Sequence, residues 1–275
     1  MSQAKVPATV RILTLNSEKT LRRCLESVKN FAEILVLDGN STDSTLAIAH
    51  EYGARIEKQF PNADELNIPI KDWPQIVNRA LALASYDWVF YVDSDEAIAP
   101  SLEEEIRQIV SDTSNKFYIY QVPNRIIYLG REILYATPYP GYQKRLVNKK
   151  SCAHYDKTPH YQLFFDENKF KVGTLKNPWY VFIDEAAQLK KRFIILEALD
   201  AMNQSWSQFF YWSVWRKLST ATKIFIKMAY LRLRYGFKNC LPLRVEFLRV
   251  QNKLMLCGYL IRQKVFHEDL EKIMP

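Results

Sequence analysis

The sequence predicts an α/β fold: a mainly parallel sheet flanked by helices, followed by a C-terminal helical region rich in basic and aromatic residues. Three observations lead there. Short apolar runs alternate with segments of helical period through the first half of the chain, the order that builds a parallel sheet covered on both faces. Three of those runs end in polar clusters: Thr14-Leu15-Asn16, Asp38-Gly39-Asn40 and Asp93-Ser94-Asp95. From Glu185 onward, Trp, Phe, Tyr and Leu interleave with Lys and Arg at helical spacing. The division expected is a body over residues 1–185 and a helical region over 186–275.

The elements follow in order. Thr9–Leu15 (TVRILTL) is a short apolar run and reads as a buried strand. Glu18–Val28 is a helix, because Leu21, Cys24, Leu25 and Val28 fall on one face; Ser17 stands where a cap belongs. Glu33–Leu37 (EILVL) is a second strand, ended by turn-forming residues. Ser44–Tyr52 is helical and Gly53 stops it, with Asp43 as cap. Ala54–Ile56 is a short strand, Gln75–Ala84 a helix, and Trp88–Val92 a strand running straight into Asp93. Ser101–Val110 is an amphipathic helix with a Ser cap and glutamates in its first turns, where the helix dipole favours negative charge. Residues 115–185 are less regular, with strand-like pieces at Phe117–Val122, Phe170–Leu175 and Tyr180–Ile183.

With 275 residues, 48% of them hydrophobic, the chain can bury a substantial core. Only 7 glycines and 12 prolines argue against long disordered tracts. Residues 186–275 hold 16 Lys+Arg and 6 Asp+Glu, while residues 1–185 hold 22 and 24, so all of the excess positive charge sits in the last third. Such asymmetry suggests an anionic partner. The four cysteines show neither zinc spacing nor a disulfide framework. The N-terminus lacks an apolar signal core. Ala201–Trp215 is too short and too polar for a spanning helix of about 20 apolar residues. The expected compartment is the cytoplasm.

In open parallel sheets, ligands bind outside the carboxyl ends of the strands. Three strands delivering polar residues there predict a site. Asp93 and Asp95 lie two apart at the end of an apolar strand and point the same way when extended. Two such carboxylates, beside a bound diphosphate, suit Mg²⁺ or Mn²⁺, which prefer oxygen ligands and share them with phosphates. The alternative is a solvated acidic turn, since a D-x-D is common. Asp38 can accept hydrogen bonds from a base or ribose, or serve the turn alone.

Taken together, ILTLNSEKTLRRCLESV, EILVLDGNSTDSTLAIAHEYGA and NRALALASYDWVFYVDSDE resemble the family 2 glycosyltransferases of the GT-A fold. The likeness is nearest to the branch that adds sugars to the inner core of lipopolysaccharide. It covers residues 8–110 strongly and continues to about 265. The resemblance implies transfer of a sugar, with inversion, from a nucleotide-sugar, expected to be a UDP-sugar. The implied acceptor is lipopolysaccharide or another lipid-linked saccharide. Thr14, Leu15, Asn16 and Glu18 would border the base, and Asp38 would bind base or ribose. Asn78 and Arg79 would face the nucleotide or donor sugar. Asp93, with Ser94, would contact ribose or metal, and Asp95 would ligate the metal. There are departures. The Gly-rich turn of the branch is replaced by Ile70-Lys71-Asp72-Trp73-Pro74. Aligning Lys144-Arg145-Leu146-Val147 and Thr158-Pro159-His160-Tyr161 with the family's later segments puts Tyr161 where a glutamate base would stand.

An inverting transfer needs a base within about 3 Å of the acceptor hydroxyl. Asp156 and His160 are the candidates, and His154 reads as a surface residue. Lys144 and Arg145 would meet a diphosphate or an anionic acceptor, or be solvated. In the last third, Trp206, Phe209, Phe210, Trp212 and Trp215, followed by Lys and Arg at nearly every turn, suit an anionic bilayer surface; ordinary core packing is the alternative. The basic residues form no nucleic-acid motif, so no nucleic-acid partner is expected. The chain is thus expected at the inner face of the cytoplasmic membrane. Two other readings remain. A sugar-phosphate nucleotidyltransferase would need a Gly-rich loop where Asn16-Ser17-Glu18-Lys19 stands. A membrane-docked binding protein would keep the fold without catalysis.

Overall fold

The computed structural model describes residues 4–70, 72–156, 163–183 and 205–266. The helices expected over 185–204 and 267–275 lie outside them. The chain forms two compact units: residues 1–125 with 140–181, and residues 126–139 with 182–275.

The first unit is the α/β body. Its elements are β1 (Val6–Thr14), α1 (Glu18–Val28), β2 (Phe31–Asp38), α2 (Thr45–Glu51), β3 (Arg55–Lys58), α3 (Trp73–Leu83), β4 (Trp88–Tyr91), β5 (Glu96–Ile98) and α4 (Pro100–Ser111). The sheet runs β3-β2-β1-β4, all parallel. It continues antiparallel through β8 (Tyr142–Asn148) to β6 (Ile119–Tyr128). Alternation along β2 assigns the two faces. Ile34 and Val36 pack with Leu21, Leu25, Ile48, Leu102 and Ile106 of α1, α2 and α4. Leu35 and Leu37 pack with Ile76 and Ala80 of α3 on the other side.

Two caps differ from expectation. Ser17 occupies the N-cap position of α1 without a capping bond; its hydroxyl is turned to Ser94 Oγ, 2.9 Å away. Asp43 does the capping instead, accepting from the backbone N–H of Glu18 at 3.1 Å and of Thr45 at 2.9 Å. Helix α4 begins at Pro100 rather than Ser101, because proline's fixed φ suits the first helical position.

The smaller strands of the body are β9 (His154–Tyr155), β10 (Leu163–Phe164) and β11 (Val172–Thr174), with β12 (Trp179–Ile183) starting in the body and running into the second unit. β9 and β10 pair antiparallel, β11 lies parallel to β6, and Trp179–Val181 pairs antiparallel with β5.

The second unit opens with a hairpin. The end of β6 turns through Leu129 (φ 48°) and Gly130 (φ 74°) into β7 (Arg131–Glu132). Two left-handed residues in a two-residue loop match the twist of paired strands. Its helices are α5 (Trp206–Phe209), a π-helical turn over Phe210–Trp215, α6 (Arg216–Tyr235) and α7 (Leu243–Phe266). Gly236 (φ 77°) ends α6. Ile126, Ile133, Ala136, Ile183, Leu241 and Val245 form one core, and Phe209, Leu256 and Leu260 another. Buried Glu246 accepts from Thr137 N at 2.9 Å and from the Thr137 hydroxyl. Trp206, Phe210, Tyr211, Trp212 and Trp215 are exposed, Phe210 at 62% and Trp215 at 64%. Among the described residues, no helix is long and apolar enough to cross a membrane.

Candidate active site

The first two polar clusters are bonded to each other. β1 and β2 run in register so that Thr14 stands beside Asp38, and the Thr14 hydroxyl donates to Asp38 Oδ1 at 2.7 Å. Asp38 also accepts from Ser41 N at 2.7 Å and Ser41 Oγ at 2.6 Å, and is almost wholly buried. Gly39 N donates to Thr14 O at 2.9 Å. A Cβ at Gly39 would stand 2.8 Å from Ile68 O, so only glycine lets the loop after β3 cross here. Leu15 is half-buried. Asn16 is left-handed (φ 49°) and exposed. Its N–H donates to Ser41 Oγ at 2.8 Å, its side-chain N–H to Asn67 Oδ1 at 2.8 Å, and its Oδ1 accepts from Thr42 N at 2.9 Å. Glu18 accepts from Ser44 N at 3.1 Å. Burial raises the Asp43 carboxyl, but hydrogen bonds from Thr45 and Glu18 outweigh it and hold the group below its ordinary pKa.

The third cluster follows β4, beside β1 in the sheet. Val92 N donates to Arg11 O at 3.2 Å, and the chain then turns. Asp93 is exposed, and Ser94 and Asp95 are half-buried. The turn is fixed from several sides. Ser94 meets Ser17, Arg23 donates to Asp95 O at 3.3 Å, and Cys24 Sγ lies 3.4 Å from Asp93 O. Glu96 Oε2 accepts the Asp93 N–H at 3.0 Å.

Glu96 belongs to a buried cluster that the sequence did not disclose. Its carboxylate accepts both terminal nitrogens of Arg145, one at 2.9 Å, and Trp179 Nε1 at 2.9 Å. Arg145 is 1% exposed, which corrects the expectation that it meets a diphosphate or is solvated: Glu96 supplies its counter-charge. Its guanidinium stacks 3.8 Å from the Trp179 ring centroid and 4.5 Å from that of Tyr91. Burial alone would lower the Arg145 pKa, but Glu96 and Tyr91 outweigh that and raise it. Burial raises the Glu96 pKa above the ordinary glutamate value, with the facing Arg145 guanidinium pulling the other way, and three side-chain N–H donors meet its oxygens. A second guanidinium, Arg11, lies 4.8 Å from the same Tyr91 ring and is 3% exposed.

Two carboxylates fit a hard divalent ion that takes its other ligands from phosphate and water. The described residues hold no group of three or more His, Cys, Asp or Glu side chains that would make an all-protein metal cage.

β9 packs against α3. Asn78 does not extend into open space: its Nδ2 donates to Tyr155 O at 2.8 Å and its Oδ1 accepts Tyr155 N at 2.8 Å. It pairs with the strand as a neighbouring strand would. Arg79 reaches β3, donating to Lys58 O at 2.5 Å, with Glu57 at 3.6 Å. Tyr155 is buried against Trp73, edge to face at 5.0 Å. Its phenol is raised above its ordinary pKa, by burial first. Asp156 follows it and is exposed, as is His154. His160 lies outside the described residues. Beside β9 opens a cavity of about 370 Å³, lined by Lys150, His154, Phe164, Phe165 and Lys169 among others.

Residues 9–168 match the family model described as Glycosyl transferase family 2. An uncharacterized glycosyltransferase of Rickettsia conorii is 29% identical over 174 residues, 60% of this chain and 57% of the relative. The chain thus spans a little over half the length of the Rickettsia relatives it matches. The lipopolysaccharide core biosynthesis glycosyltransferase LpsC of Rhizobium meliloti is 29% identical over 129 residues, 46% of this chain and 45% of that one. Among solved structures, S. aureus TarS 1–349 in complex with UDP-GlcNAc superposes with a TM-score of 0.51. It is 16% identical and covers 95% of this chain and 92% of that one, a likeness of fold.

Proposed function

The chain belongs to glycosyl transferase family 2, and on that premise we propose that it transfers a sugar, with inversion, from a UDP-sugar to a saccharide acceptor held at a membrane. The observation that carries the reading is the convergence of Thr14, Asp38 and Asp93 at the carboxyl ends of three adjacent parallel strands, where open sheets take their ligands. A solved relative in fold holds UDP-GlcNAc, which supports a UDP-sugar donor.

In this reading the nucleotide lies over Thr14, Leu15, Asn16, Glu18 and Asp38. Asp93 and Asp95 would hold Mg²⁺ or Mn²⁺, whose positive charge would neutralise the leaving diphosphate. Ser94, tied to Ser17, keeps the two carboxylates in one turn. Asn78 and Arg79 serve the site by fixing β9 and β3. Asp156 or His160 takes the proton of the acceptor hydroxyl as the bond to the sugar forms. The GT-A body is assigned to residues 1–185 and the acceptor and membrane side to 186–275.

The acceptor reading rests on the LpsC likeness and on the lysine- and aromatic-lined cavity beside β9, which suits an anionic saccharide. Membrane contact rests on the exposed Trp, Phe and Tyr side chains at 206–215, which with nearby Lys and Arg suit an anionic lipid surface. The site is then at the inner face of the cytoplasmic membrane. A screen of nucleotide-sugars for Mn²⁺-dependent release of the nucleotide tests the reading. UDP release from at least one UDP-sugar is expected, and none from any sugar nucleotide would overturn it.

A further inference from the structure

Arg11 stands in the middle of β1, on the sheet face that Trp73 and Tyr155 cover. It is 3% exposed. Its guanidinium carbon lies 4.8 Å from the Tyr91 centroid and 6.0 Å from that of Trp73. Arg145, the neighbouring buried cation, is bound by Glu96. Arg11 has neither a carboxylate partner nor a side-chain hydrogen bond among the described residues. A cation–π contact recovers only part of what burying an ion costs, so the guanidinium is a planar fork of donors held ready for an anion.

Position identifies whose anion. Arg11 pairs with Tyr91 across adjacent strands, and Asp93 follows two residues after Tyr91, in the turn beyond the end of that strand. Asp93 and Tyr155 are the groups whose fields bear on Arg11 besides Tyr91 and Arg145. Arg11 thus lies against Tyr91, two residues before the carboxylate proposed to carry the metal, and against Trp73, which packs on Tyr155, the residue before Asp156. In a glycosyl transfer, the part of the ligands that must span from the leaving phosphate to the base is the transferred sugar itself. From this we infer that Arg11 forms a subsite for the carboxylate of an acidic transferred sugar, so that the donor is a nucleotide-uronic acid. The inference rests on the donor site proposed above.

The test measures affinity for four donors with Mn²⁺ present: UDP-glucuronic acid, UDP-galacturonic acid, UDP-glucose and UDP-galactose, with UDP alone as control. In the unaltered protein, one of the uronates should bind at least tenfold more tightly than its matching hexose. In Arg11→Met the difference should vanish while UDP binds within about twofold of the unaltered value. The melting temperature of ligand-free Arg11→Met should equal or exceed that of the unaltered protein, since an unpaired buried cation is lost. Equal binding of uronates and hexoses would overturn the subsite, as would a preference that survives Arg11→Met. A variant that melts lower or fails to fold would make Arg11 a structural cation and overturn it too. Absence of UDP binding would overturn the donor site and the subsite together; UDP binding without a uronate preference removes the subsite alone.

Discussion

Glu96 accepts the backbone N–H of Asp93 at 3.0 Å while its carboxylate grips Arg145. The turn that carries Asp93 and Asp95 is therefore anchored to a buried ion pair reaching β8 and β12. Without Glu96, Arg145 would be left charged and enclosed at 1% exposure.

Glu96→Gln should accordingly cost about 3–5 kcal/mol, the range for leaving one buried charge unpaired. The double variant Glu96→Gln/Arg145→Met should recover most of that loss. Urea denaturation of the three proteins measures it. A loss under about 1 kcal/mol in the single variant would show that the pair is not held as described.

Asn78 uses both side-chain atoms on Tyr155. Asn78→Ala should lose about 1–3 kcal/mol of stability by leaving the strand's N–H and C=O unpaired. In kinetics, kcat should fall while the affinity for UDP changes less than about threefold. A rise in the donor Kd with kcat unchanged would instead place Asn78 against the donor.

Acid stability has an identifiable contributor in Glu33. Burial raises its pKa, but donors from Thr9, Ser85 and Arg55 outweigh that and hold it below the ordinary glutamate value. A carboxyl lowered on folding stabilises fully above its unfolded pKa, and the contribution is lost as pH falls through the lower folded value. Glu33→Gln should therefore be less stable than the unaltered protein at neutral pH, and the gap should narrow on acidification. Melting temperatures from pH 7 down to pH 3 read it; a gap that stays constant contradicts the assignment.

The exposed aromatics at 206–215 make a separate prediction. Replacing Trp206, Phe210 and Trp215 with Ser should abolish flotation with anionic vesicles at low salt while leaving UDP binding intact. No flotation of the unaltered protein would remove the membrane reading.

The strands and the polar clusters at their carboxyl ends were legible in sequence because they depend on local order. An apolar run ending in Asp names both a strand and its polar end, and the spacing of Leu21, Cys24, Leu25 and Val28 named the buried face of α1. The rest depends on contacts between distant segments. Glu96 meets Arg145 and Trp179, 49 and 83 positions away, and nothing in the local sequence marks it as more than the residue after a D-x-D. Arg11 was hidden inside an apolar strand run, where a single cation looked incidental. Asn78 and Arg79 stood at helical positions matching the family pattern, but their partners, Tyr155 and Lys58, are set by tertiary packing. The cap of α1 was misplaced for the same reason: Asp43 reaches it from another loop.

Asp93 and Asp95 are proposed to hold a divalent ion against a donor diphosphate. The most direct measurement titrates Mn²⁺ into the protein with saturating UDP, following the free-ion electron paramagnetic resonance signal, for the unaltered chain and for Asp95→Ala. One UDP-dependent Mn²⁺ site is expected, weakened at least a hundredfold in a folded Asp95→Ala protein. Mn²⁺ affinity unchanged by Asp95→Ala would contradict it.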